Sequence, residues 1–156
     1  MHLTHTQHGQ HAAPSLNRIA WAATLHCLTG CAIGEVLGMV IGTALGWANG
    51  ATVALSVVLA FFFGYSLTLL PLLKAVTVSR ALKLAFASDT ASIAIMEIVD
   101  NAIMLVIPGA MNAGLGTILF WGSLVLSLAI AAVAAFPVNR WLIAHGKGHA
   151  VIHAHH

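Results

Sequence analysis

Six side chains of this 156-residue sequence are suited to chemistry and sit where water is scarce: two cysteines and all four carboxylates. In "HCLTGCAIGE", Cys27 and Cys31 lie four residues apart, with His26 before them and Glu35 four residues further on. Residues four apart occupy neighbouring turns on one side of a helix. Cys27, Cys31, Glu35, Met39 and Thr43 therefore form a ladder of thiols, carboxyl, thioether and hydroxyl. The segment "SDTASIAIMEIVDNAIML" holds the other three acids, Asp89, Glu97 and Asp100. There Asp89, Met96, Asp100 and Met104 share a broad helical face, with Ser92, Glu97 and Asn101 on its flanks.

Thiolate and thioether donors select soft ions such as Cu(I), imidazole suits Zn(II) and copper, and carboxylates add harder donors or carry protons. His26, Cys27, Cys31, Glu35, Glu97 and Asp100 are thus the candidate ligands for a transition-metal ion, Cu(I) first and Zn(II) second. Asp89, Ser92, Asn101, Met39, Met96 and Met104 complete a candidate polar path. A different chemistry is open to the same thiols: a dithiol oxidoreductase in which Cys27 and Cys31 cycle to a disulfide, His26 activates a thiol and Glu35 moves the proton. A proton-coupled channel for a small solute and a purely structural membrane subunit are further readings. Gly-Lys-Ser/Thr phosphate loops are absent, so no motif marks a nucleotide or flavin site.

The elements that must position these residues follow from composition. Hydrophobic residues make up 60% of the chain and charged residues 6%, with a mean hydropathy of +0.95. A soluble domain is about one quarter charged, so the solvent here is a lipid bilayer. Stretches of about 20 apolar residues span a membrane as helices. Four are found, at roughly 19–46, 51–73, 85–107 and 115–137. None alternates as barrel strands do, which makes the fold class an all-α integral membrane protein, a four-transmembrane-helix bundle.

Arg18 precedes the first span, Lys74, Arg80 and Lys83 separate the second from the third, and Arg140 and Lys147 follow the fourth. The other two connections contain neither Lys nor Arg. By the positive-inside rule both termini are cytoplasmic, and the basic isoelectric point reflects these anchors rather than nucleic-acid binding. "WANG" reads as a tight turn in which Asn49 and Gly50 supply positive φ. Pro108 and Gly109 end the third helix, and "KAVTVSRALK" reads as an amphipathic surface turn. Counting about 1.5 Å per residue from the cytoplasmic ends sets Cys27 and Cys31 level with Asp89 and Ser92. It sets Glu35 and Met39 level with Glu97 and Asp100. The first and third helices should therefore face one another across one polar path.

Beside the first ladder runs a second stripe, Gly30, Gly34, Gly38, Gly42 and Gly46. Such spacing lets another helix approach closely in lipid, and it suggests a homo-oligomer assembled through the first helix. The domain at residues 18–144 is flanked by a polar tail at 1–17, with His2, His5, His8 and His11, and a second at 145–156, with His149, His153, His155 and His156. Histidine-rich tracts of this kind suit auxiliary metal capture.

The runs "HCLTGCAIGEVLGMVIGTALG", "LTLLPLL", "DTASIAIMEIVDNAIMLVIPGAM" and "FPVNRWLIAHGKGHAVIHAH" resemble a bacterial membrane-protein family, domain of unknown function 4396. The likeness covers nearly all of residues 18–156, and His26, Cys27, Gly30, Cys31, Gly34 and Glu35 match its most specific motif. It implies a small multi-pass bacterial membrane protein and brings no substrate or activity with it; with the charge distribution, the expected location is the bacterial inner membrane.

Overall fold

The computed structural model describes residues 14–146. These form four long helices, α1 (Leu16–Ala44), α2 (Asn49–Ala75), α3 (Val78–Val106) and α4 (Ile118–Ala144), with one 3₁₀ turn at Ala110–Asn112 before the last. No strand occurs among the described residues. Three of the helices, α1, α2 and α4, are long and apolar enough to cross a membrane. α3 is as long as α1 and carries the three acids Asp89, Glu97 and Asp100.

Neighbouring helices pack α1 to α2, α2 to α3, α3 to α4 and α4 to α1, while α1 and α3 meet across the bundle axis. The chain runs alternately up and down, which brings the starts of α1 and α3 to one end. At that end Arg140 Nε donates to Asn17 Oδ1 at 2.7 Å. At the other end Asn49 Nδ2 donates to Asn112 Oδ1 at 2.9 Å and ties the two remaining connections together. Arg18, Lys74, Arg80, Lys83 and Arg140 are all exposed near the first end.

The glycine stripe of α1 is the tightest seam of the bundle. A Cβ on Gly30 would lie 2.5 Å from Gly64 Cα of α2, and one on Gly34 would run into the Ala60 backbone. Gly38 and Gly42 meet Ser56 and Thr52 in the same way. The occupant of the groove is thus α2 of the same chain, and a second copy would have to use another face. Gly46 does not belong to this stripe. It lies beyond the helix with φ 65° and open space around it, and reverses the chain in the left-handed region that suits glycine. Asn49 and Gly50, read from sequence as the turn, are instead the first residues of α2.

Three other boundaries differ from the sequence reading. Only residues 76 and 77 separate α2 from α3, so most of "KAVTVSRALK" is helical and Arg80 and Lys83 lie in the first two turns of α3. Hydropathy senses the edge of the lipid, whereas backbone hydrogen bonding continues past it. α4 begins at Ile118, capped by Thr117 Oγ1, which accepts from Phe120 N at 3.2 Å. It then runs through Pro137 to Ala144, seven residues beyond the span read from sequence, since packed membrane helices tolerate an internal proline. α3 ends at Val106, just before Pro108, with extended Ile107 as its cap, and left-handed Gly109, φ 81°, leads into the 3₁₀ turn.

The bundle is apolar outside and polar within. On α3, Ile98 is 69% exposed while its neighbour Glu97 is 4% exposed. Phe86, Leu105, Phe62, Val58, Val125 and Val133 are likewise directed outward. A water-soluble bundle would have the opposite arrangement.

Candidate functional site

The site lies along the bundle axis between α1 and α3, and it is built as successive rungs. Nearest the chain termini, Cys27 of α1 lies beside Ser92 and close to Asp89 of α3. Asp89 Oδ1 accepts from Ser88 Oγ at 2.7 Å. One turn further, the Cys31 thiol faces the Glu97 carboxyl. The third rung joins Glu35 to Asp100, whose carboxyls come within hydrogen-bonding reach of each other. Both cysteines are free thiols, 2% and 1% exposed. Two parallel helices with the same rise per residue keep these partners in step: Cys27 sits level with Asp89 and Ser92 and Glu35 with Asp100, as counted from the sequence, whereas Cys31 lies opposite Glu97, one rung beyond its expected level.

The rungs are poorly satisfied as hydrogen-bonded structure. Neither oxygen of Glu97 has a well-formed hydrogen bond among the described residues, and Glu35 Oε2 and Asp100 Oδ1 also lack one. Two carboxyls in contact attract only with a proton or another cation between them. The five described Lys and Arg side chains are exposed near the bundle end. The ladder is therefore a carboxyl- and thiol-bearing interior with no described Lys or Arg side chain beside it.

Met96 is fully buried and packs with Cys27, Cys31, Ile93, Ala60, Ala131 and Ala135. Met39 and Met104 lie beyond the third rung, around a small cavity of about 30 Å³ lined also by Glu35, Asp100, Asn101 and Ser56. Asn101 donates from Nδ2 to the Glu97 carbonyl at 2.9 Å. His26 is half-buried on α1 beside Cys27. Thr43, the last member of the α1 ladder, is exposed and outside the path. Among the described residues no three His, Cys, Asp or Glu side chains converge as a ready-made metal site. The candidate ligands are arranged in pairs at successive depths. His2, His5, His8, His11, His149, His153, His155 and His156 lie outside the described residues.

Several contributors were not singled out by the sequence reading. Thr52, Ser56, Ala60 and Gly64 continue, with Thr68, a buried stripe on α2 at four-residue spacing, complementary to the glycines of α1; of these only Thr68 stood out in the sequence, as a residue able to reach the path. Ser123, Ser127, Ala131, Ala135 and Asn139 do the same on α4. Asn139 Nδ2 donates to Thr24 Oγ1 at 2.9 Å and pins α4 to α1 below the cysteines. The four-residue spacing was the available signal in both helices. Met111, in the 3₁₀ turn, also reaches the cavity, and its place in a loop concealed it.

No curated protein and no solved structure matches the chain. The model of one family, described as Domain of unknown function (DUF4396), matches residues 17–148, which takes in all four helices and every rung of the ladder. The chain belongs to that family.

Proposed function

We propose that this protein crosses the bacterial inner membrane four times, with both termini cytoplasmic, and that it binds and moves a transition-metal ion, Cu(I) first and Zn(II) second. α3 is the fourth span: its acids turn inward and its outward face is as apolar as that of its neighbours. Lipid covers that outer surface, and a homo-oligomer would assemble through it, since α2 fills the glycine groove.

One observation carries the functional reading. Every carboxyl and both thiols of the chain are buried on two facing helices, in register, inside a bundle with an apolar exterior. A carboxyl at mid-membrane is disfavoured by roughly 2.5–3.5 kcal/mol on insertion scales. A bundle that needed only packing would place small uncharged residues there, as the buried faces of α2 and α4 largely do. The Cys27–Ser92–Asp89 level receives the ion from the terminal end, Cys31 and Glu97 take it next, and Glu35 and Asp100 hold it at mid-membrane. Paired donors at successive depths suit an ion passed from level to level better than one stored.

The paired carboxyls also favour a second reading, in which protons alone use the ladder and the chain is a proton pathway. Flux through purified protein in sealed vesicles, followed with separate metal-sensitive and pH-sensitive dyes, distinguishes the two. Metal uptake under reducing conditions, abolished by Glu97→Gln, is the expected result. Proton flux with no metal uptake would overturn the metal reading in favour of the proton pathway, and the absence of both fluxes would overturn transport.

A further inference from the structure

The cavity beyond the third rung has a chemistry of its own. Three separate segments each bring a methionine to it: Met39 from α1, Met104 from α3 and Met111 from the 3₁₀ turn between α3 and α4. The turn is placed by the left-handed Gly109 and by the Asn112–Asn49 hydrogen bond. On the inner wall stand Glu35 and Asp100, 6% and 3% exposed. Each contributes a carboxyl oxygen, Oε2 and Oδ1 respectively, that has no hydrogen-bond partner among the described residues.

We propose that this cavity is a second, thioether-rich cation site, which binds one Cu(I) or Ag(I) ion between Met39, Met104, Met111 and the Glu35–Asp100 pair. A volume of about 30 Å³ has room for one or two waters or a bare ion. Thioethers are soft and uncharged, so they select Cu(I) and Ag(I) over Zn(II), Mg(II) and Ca(II), while a neighbouring carboxylate balances the single positive charge. Packing alone accounts for a fully buried methionine such as Met96. Met39 and Met111, by contrast, are half-buried and border a cavity whose mostly apolar wall also carries the two carboxyls of Glu35 and Asp100. The site lies at the opposite end of the ladder from Cys27, so the path has a thiol end and a thioether end. The proposal rests on the metal reading above only for the class of ion.

The test is X-ray absorption at the copper edge on the full chain, labelled with selenomethionine and loaded with one equivalent of Cu(I) in detergent. Selenium scatters distinctly from cysteine sulfur and reports thioether ligation directly. Copper–selenium scattering is expected in the unsubstituted protein and in Cys27→Ser/Cys31→Ser, and it disappears in Met39→Leu/Met104→Leu/Met111→Leu, which keeps labelled Met1 and Met96. Met111→Leu alone, at a half-buried position, lowers the selenium amplitude should the triple variant fail to fold. Bound copper without selenium neighbours, selenium scattering that persists in the triple variant, or no bound copper would each overturn the site. Selenium scattering retained in the cysteine variant, together with the same copper content as the unsubstituted protein when both are saturated with Cu(I), would leave this site standing and refute the thiol ladder as a metal path.

Discussion

Replacing Gly34 by alanine adds one methyl group at the closest approach of α1 to α2. That methyl would overlap the Ala60 backbone, and the equivalent atom on Gly30 would lie 2.5 Å from Gly64 Cα. Carbon atoms settle at about 3.5–4.0 Å, so the two helices must part by about 1 Å or more. Neither contact partner is a flexible side-chain end, so the strain cannot be relieved by a rotamer change. Overpacking of this kind costs about 1–3 kcal/mol, equivalent to a roughly 5- to 150-fold loss in the folding equilibrium. The same substitution at Gly122, a helical position of α4 with nothing within 4 Å, should instead stabilise by about 0.5–1 kcal/mol, because alanine is the better helix former. Reversible unfolding of both variants in mixed micelles measures the two signs. α1 also carries Cys31 and Glu35, so Gly34→Ala should weaken metal binding as well, whereas Gly122→Ala should leave it unchanged. Equal stability of the two variants would refute the intramolecular glycine seam.

Asn139→Leu removes the buried bond to Thr24 and should destabilise the bundle by about 0.6–1.7 kcal/mol, measured by the same unfolding assay, with Thr24 still bonded to the Ala20 carbonyl. Glu35→Gln keeps the shape of the third rung but removes a carboxyl, so the fold should persist while metal affinity falls at least about tenfold, read by competition with a chelator of known affinity. Tyr65→Phe, which breaks a partly buried 2.7 Å hydrogen bond to Thr90, lies off the ladder and should change stability by less than about 1 kcal/mol and leave metal content unaltered.

The ladder was legible in the sequence because two regularities survive without coordinates: four-residue spacing places Cys27, Cys31 and Glu35 on one side, and a constant rise matches Cys27 to Ser92 and Glu35 to Asp100. The pairing of Cys31 with Glu97 was not legible, since the count from approximate helix ends set Cys31 beside Asp89 and Ser92. The partner of the glycine stripe was not legible from the stripe itself, since a glycine groove accepts any close helix. The answer lay in Thr52, Ser56, Ala60 and Gly64, whose small side chains look featureless one at a time. Helix ends were misjudged where polarity and backbone geometry part company, at Arg80 and Lys83, and at Pro137. Met111 was missed for a different reason: no periodicity governs a turn, and only the approach of the 3₁₀ segment to the bundle brings it to the cavity that Asp100 also lines.

The most direct test of the central claim is the metal content of the full chain, purified under reducing conditions, beside that of Cys27→Ser/Cys31→Ser. Histidine tails are common to both proteins, so their contribution cancels in the difference. Copper or zinc higher by about one ion per one or two chains in the unsubstituted protein is the outcome required of a thiol–carboxyl metal path. Equal metal content in the two proteins, or none in either, would contradict it.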